Sequence, residues 1–206
     1  MKNLEILYED DFSIIINKPA GLAVQGGKGV KTSVDRLLAE ARTPPPLLVH
    51  RLDKDTSGAL LAAKGREAAA RFSRLIAGRN TVKQYIAVCA GHPKQDKGII
   101  TDELLIRGSQ KKSETRYKVI KTAAPYCILE LELGTGRMHQ IRRHLAMHGN
   151  PILGDDKYGD FPLNKKLRKT ANLKRLLLHA SRLAVKDEFK LDVCAPLPDY
   201  FNPYFN

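Results

Sequence analysis

Apolar residues fall into short runs separated by polar or glycine-rich turns. Leu4 to Tyr8 and Ser13 to Asn17 are β-prone runs on either side of Glu9-Asp10-Asp11, a hairpin pattern that Lys18-Pro19-Ala20-Gly21 closes. Val34, Leu37, Leu38 and Ala41 recur at helical spacing from about Thr32 until Pro44-Pro45-Pro46 stops them. Leu47 to Val49 and Gly58 to Lys64 read as strands, the second apolar enough to be buried, and a basic helix follows over about Glu67 to Ala77. Tyr85 to Ala90, Gly98 to Leu105, Thr115 to Lys121 and Tyr126 to Leu133 are further strands. The alternation of Tyr117 with Val119, and of Ile128 with Glu130 and Glu132, favours half-exposed antiparallel pairing. A helix is predicted over about Met138 to Met147, stopped by Gly149. Gly154 to Lys174 reads as a loop, after which Leu176 to Val185 returns to apolar character. Strands outnumber helices and rarely alternate with them, which predicts an α+β fold: a mixed, largely antiparallel β-sheet flanked by helices.

Composition sets the scale. A chain of 206 residues that is 43% hydrophobic has enough apolar material for a core, and the expectation is one domain over residues 1–206. Lys and Arg number 35 against 22 Asp and Glu, a formal charge of +13, so an anionic partner is expected. The charge is uneven. Asp187 to Asn206 carries one Lys against Asp187, Glu188, Asp192 and Asp199, whereas basic residues gather at Lys64 to Lys83, Arg107 to Lys112, Arg137 to Arg143 and Lys165 to Arg175. No apolar run reaches the ~20 residues of a spanning helix, and the acidic N-terminal stretch does not have a signal-peptide pattern. The expectation is a cytoplasmic protein that does not engage membrane.

Three chemical motifs fail on spacing. Gly26 to Lys31 suggests a phosphate cradle, but Val30 stands where a P-loop requires glycine. His139, His144 and His148 share one predicted helix, yet Leu145-Ala146-Met147 separates the last two and the glutamate of a zinc-protease motif is missing, so a metal site is not expected. Cys89, Cys127 and Cys194 form no CxxC pair and read as small hydrophobes.

His50-Arg51-Leu52-Asp53-Lys54-Asp55-Thr56-Ser57-Gly58 is more informative, because seven of these nine residues are polar or charged and they separate two apolar runs. A solvent-facing hairpin loop is one reading. The other is a loop that projects Asp53 into a basic cleft, with Arg51 and Lys54 favouring the ionised carboxylate. Such a carboxylate is a nucleophile, and it suits a glycosidic carbon because it opposes oxocarbenium-like charge.

His50-Arg51-Leu52-Asp53 with Thr56-Ser57-Gly58 resembles the signature of the RluA-type pseudouridine synthases. Further motifs occur in that family's order: Asn17-Lys18-Pro19-Ala20-Gly21, Lys83-Gln84-Tyr85, Gly136-Arg137-Met138-His139-Gln140-Ile141-Arg142, Pro151-Ile152-Leu153-Gly154-Asp155 with Tyr158-Gly159, and Leu178-His179-Ala180. Together they cover nearly the whole chain. The resemblance implies a pseudouridine synthase catalytic fold that isomerises uridine to pseudouridine in structured RNA. It implies that Asp53 is the catalytic aspartate, that Tyr85 stacks on the target uracil, that Arg142 pairs with the aspartate, and that Arg51 helps hold RNA with its base turned out.

The chemistry is consistent with those roles. Uracil moves from a nitrogen to a carbon glycosidic bond without gain or loss of electrons, so no redox cofactor is expected, and a basic pocket can stabilise departing uracil. Asp53 has three open roles: attack on the anomeric carbon, attack on the uracil ring, or assistance to a glycal-like intermediate. An arginine can hold the carboxylate bidentately, a tyrosine face tolerates a rotating base, and extrusion of the nucleotide is easiest in loops or bulges. Gly154 to Leu178 resembles members that act on large-subunit ribosomal RNA, and the Gln140 to His144 run is also similar to transfer RNA enzymes; ribosomal RNA is favoured. A non-catalytic RNA-binding protein is the alternative of a different class. Several members carry an N-terminal RNA-binding module, whereas here Met1-Lys2-Asn3 leads directly into the first predicted strand, so a catalytic domain without that module, acting as a monomer, is expected.

Overall fold

The computed structural model describes residues 4–78, 80–186 and 190–205. The Met1-Lys2-Asn3 lead-in and the Asp187-Glu188 part of the acidic C-terminal stretch lie outside the described residues. The fold is α+β, and every strand pair whose register is defined runs antiparallel. In chain order the first half contains β1 (Glu5–Glu9), β2 (Ser13–Lys18), α1 (Val34–Ala41), β3 (Leu47–Leu48), β4 (Ser57–Ala63) and α2 (Arg66–Ala77). Then come β5 (Thr81–Ala90), β6 (Lys97–Ile100), β7 (Leu104–Ile106), β8 (Ser109–Lys111), β9 (Thr115–Ala123) and β10 (Tyr126–Leu133). The remainder is α3 (Gln140–Met147), α4 (Phe161–Thr170), β11 (Leu178–Val185), β12 (Leu191–Cys194), a 3-10 turn at Asp199–Phe201 and α5 (Asn202–Phe205).

The chain divides into two compact units, one of Met1–Lys83 with Ala180–Pro196 and the other of Gln84–His179 with Leu197–Asn206. In the first unit the strand order is β1-β2-β4-β11, with β12 on β11 and β3 on β4. Ile15 lies opposite Leu61, so one face of β2 and β4 carries Ile15, Ala59, Leu61 and Ala63. Leu183 and Val185 pair with Val193 and Leu191 and join that face, on which α2 packs Ala68, Phe72 and Ile76 at four-residue spacing. β4 is buried along its whole length, which explains why Ser57 to Ala63 shows no alternation.

Gly58 marks where β4 leaves the polar loop. Its φ is +112°, and a Cβ there would stand 2.2 Å from the carbonyl oxygen of Ala180. Only glycine fits such a conformation and such an approach. Gly58→Ala is expected to destabilise the protein by about 2–3 kcal/mol through overpacking, which lowers the melting temperature by about 4–12 °C. An unshifted thermal denaturation curve would contradict this.

In the second unit the order is β5-β10-β9-β6, and β7 with β8 forms a separate hairpin. Tyr85, Ala87 and Cys89 of β5 lie opposite Leu131, Leu129 and Cys127 of β10, all buried. The predicted strand from Gly98 to Leu105 is divided between β6 and β7, with Thr101 to Glu103 between them.

The region Gly154 to Lys174, expected as a loop, contains the ten-residue helix α4. The periodic signal was weak because a polar residue fastens the helix. Asn164 is buried, accepts from the Gly154 backbone N–H at 2.9 Å and donates to the Asp155 carbonyl at 3.2 Å. Asp160 caps the N-terminus by accepting from the Leu163 N–H, and Pro162 occupies the first turn.

Candidate active site

Arg51 and Asp53 lie in the first unit, on the loop between β3 and β4. Leu52 and Thr56 are buried, whereas Arg51 and Lys54 are exposed and Asp53 is half-buried. A turn in which the Thr56 N–H donates to the Asp53 carbonyl fixes the backbone at the aspartate. Burial of Leu52 and Thr56 thus pins the loop on both sides of Asp53.

The brace beneath the loop is Lys18, at the end of β2. Its side chain is fully buried, and Nζ donates to the carbonyls of Pro19, Leu22 and Lys54 at 2.8–2.9 Å. The Gly21 N–H also donates to the Lys54 carbonyl. Burial brings the ammonium down to about 8, against the opposing attraction of Asp55 and Asp53. One buried cation therefore satisfies three carbonyls and lies within the field of two carboxylates of the same loop. The motif Asn17-Lys18-Pro19-Ala20-Gly21 does not by itself reveal this role of Lys18; the signal for it is the place of Lys18 between a strand and the turn Pro19-Ala20-Gly21. His50 is held as a neutral acceptor, its Nε2 receiving the Leu61 N–H at 2.9 Å, and burial together with the nearby Lys83 charge pushes it down to about 4.

Tyr85 and Arg142 lie in the second unit. Tyr85 is 8% exposed, on the buried face of β5. Arg142 is on α3, 5% exposed, and its Nε and Nη2 donate to the two carboxylate oxygens of Asp155 at 2.7 and 2.8 Å. Nη2 also reaches Asp156 at 3.2 Å. Asp155 accepts in addition from the backbone N–H groups of Lys157 and Tyr158. Burial alone would raise this carboxyl; the Arg142 hydrogen bonds and the two backbone donors outweigh it and hold it below the usual aspartate range. The Tyr158 ring lies 5.3 Å from the Arg142 guanidinium carbon, and its hydroxyl is 3.1 Å from His139 Nδ1. At Gly154 φ is +77°, and a Cβ there would stand 1.9 Å from the Arg175 carbonyl oxygen, so the turn needs glycine. The motif Gly154-Asp155 with Tyr158-Gly159 thus reads physically as a cradle for Arg142.

A polar network positions α3. Gln140 Oε1 accepts from Thr135 Oγ1 and the Arg137 N–H, and Nε2 donates to the Glu114 carbonyl and Thr115 Oγ1. His144 sits between Ser113 Oγ and Thr115 Oγ1, each at 2.9 Å. Ser113 Oγ donates to the Asp102 carbonyl, so it accepts from His144, which assigns the proton to Nε2 and leaves Nδ1 to accept from Thr115. Burial lowers the His144 value and keeps the ring neutral. His148 turns instead to Asp102 at 2.7 Å, and among the described residues no group of three His, Cys, Asp or Glu side chains is arranged to hold a metal. Among those residues no helix is long and apolar enough to cross a membrane.

Residues 12–147 match the family described as RNA pseudouridylate synthase. The chain is 35% identical over 224 residues to the ribosomal large subunit pseudouridine synthase C of Buchnera aphidicola subsp. Schizaphis graminum, covering 100% of this chain and 71% of the relative. It is 40% identical over 193 residues to the protein of the same description in Escherichia coli strain K12, covering 86% of this chain and 60% of that one. The fold is similar to the solved structure of human RNA pseudouridylate synthase domain containing 4, with a TM-score of 0.81, 27% identity and coverage of 97% and 90%. Human RNA pseudouridylate synthase domain containing 1 is similar at a TM-score of 0.81 and 26% identity, with coverage of 100% and 87%.

Proposed function

Because this chain belongs to the RNA pseudouridylate synthase family as an RluA-type domain, we propose that it isomerises uridine in large-subunit ribosomal RNA with Asp53 as the catalytic aspartate. Residues 1–206 act as one catalytic domain, as a monomer in the cytoplasm. The observation that carries the assignment is the placement of Asp53: a carboxylate at a turn whose neighbours Leu52 and Thr56 are buried and whose backbone is tied to buried Lys18. A loop evolved only for solvation has no use for a lysine buried at that depth beneath it.

In the reaction the bond between uracil nitrogen one and the anomeric carbon breaks, and a bond from uracil carbon five to the same carbon forms. Carbon five loses its proton to solvent and nitrogen one takes one up, so atoms and electrons balance. The Asp53 carboxylate serves as the nucleophile or as the charge that opposes the electron-poor anomeric centre. Tyr85 offers its ring face to the detached base, Arg51 holds the RNA with the nucleotide turned out, and Arg142, fixed by Asp155, supplies donors to the aspartate.

The test is incubation of the protein with a large-subunit ribosomal RNA transcript tritiated at uridine carbon five. Release of tritium to solvent, stoichiometric with a small number of uridines, is expected. Release from transfer RNA alone would overturn the ribosomal assignment, and no release from either class would overturn the enzymatic one.

A further inference from the structure

We infer that the outer face of α4 is a docking surface for the sugar-phosphate backbone of the RNA substrate, an inference that rests on the ribosomal RNA reading and adds a location to it. Lys165, Lys166, Arg168 and Lys169 are all exposed, and at 100° per residue they occupy about 160° of the helix circumference, opposite Leu163, Asn164 and Leu167. Some surface cations elsewhere in this protein are paired: Arg36 with Glu40, Arg42 and Lys64 with Glu9, Arg116 with Glu114, Arg182 with Asp192. Among the described residues the four cations of α4 have no ion-pair partner.

That arrangement opposes helix formation. Lys165 and Lys169 are like charges at i,i+4, and Lys165 with Arg168 and Lys166 with Lys169 are like charges at i,i+3, each unfavourable on an isolated helix. The helix dipole accounts for cations in the last turn, Arg168 and Lys169, but not for Lys165 and Lys166 a turn earlier. A row of phosphates removes the repulsion of all four together.

The fastening of α4 makes the surface useful. Asn164 ties the helix to Gly154 and Asp155 on one side, and Asp155 holds Arg142 on the other. Both links are buried, so an RNA backbone seated on α4 is placed at a fixed distance from the arginine of the proposed site. Backbone contacts of this type set register and orientation without reading sequence.

The test compares the unaltered protein with the K165Q/K166Q/R168Q/K169Q variant, using a large-subunit ribosomal RNA transcript as probe. For the variant, Kd at about 0.1 M salt is expected to rise at least about tenfold, and the log-log salt slope is expected to become shallower by about 0.7 per lost phosphate contact. The apparent KM in tritium release should rise with Kd. A K94Q/K97Q control in the same unit should leave the slope where it was, and a K165E/K166E variant should exceed the effect of neutralising the same two residues. Unchanged Kd and slope, an equal effect in the control, or altered binding to phosphatidylserine vesicles with RNA binding unmoved would each overturn the inference. Failure of the functional reading is seen separately, as absence of tritium release by the unaltered protein.

Discussion

Asp53→Asn and Asp53→Ala are expected to lower tritium release from uridine-labelled ribosomal RNA by at least about a thousandfold, the scale on which loss of a reacting nucleophile acts. The asparagine keeps the size of the side chain and removes its charge. It also leaves the turn in place, because that turn uses the Asp53 carbonyl and not its carboxylate. Lys18 keeps its three carbonyl acceptors and the charge of Asp55, so only part of its electrostatic support is lost. Melting temperature should therefore shift by no more than a few degrees, and RNA affinity should stay within a few-fold of the unaltered protein. A folded Asp53→Asn protein that releases tritium at a near-normal rate would falsify the assignment of Asp53.

Asp155→Ala is expected to give the largest loss of stability among single substitutions at the site. It removes two charge-assisted hydrogen bonds from a guanidinium whose side chain is 6% exposed, and the carboxylate of Asp156, which also accepts from it, is 76% exposed. It also deprives the Lys157 and Tyr158 backbone N–H groups of their acceptor. Breaking a buried pair from one side costs about 3–5 kcal/mol, which for a chain of this size lowers the melting temperature by about 6–20 °C. The same carboxylate sets a pH dependence. Its value is lowered by folding, so its contribution is present above the unfolded aspartate value of about 4 and is lost as pH falls through the folded value. Asp155→Ala should accordingly flatten the acid limb of stability against pH. A melting temperature within about 2 °C of the unaltered protein would show that Arg142 does not depend on this pair.

The regular elements were legible because continuous apolar runs mark the buried strands and apolar periodicity marks the helix. β2, β4 and α2 follow from Ile14 to Ile16, from Ala59 to Ala63 and from the spacing of Ala68, Phe72 and Ile76. α4 was not legible, since Leu163 and Leu167 are its only well-spaced apolar residues and its anchor is the amide of Asn164. Residues of the Asp53 loop could be singled out because polar residues between two apolar strands require a reason. The partners that hold Lys18 and Arg142 could not be read in the same way. Lys18 bonds to backbone carbonyls, which every residue possesses, and Asp155 meets Arg142 only because Gly154 allows a backbone approach that spacing does not reveal.

α3 turns Gln140, Arg142 and His144 inward, with only Ile141 and Leu145 as large apolar residues beside them. A helix packed through leucines can slide by one turn and bury nearly the same area. This one cannot, because a shift of 5.4 Å separates Arg142 from Asp155 and leaves the Gln140 amide and the His144 ring opposite groups of the wrong polarity. Its inner face thus works as a key cut for one depth: it fixes the axial position of the arginine, to which hydrophobic burial alone is indifferent.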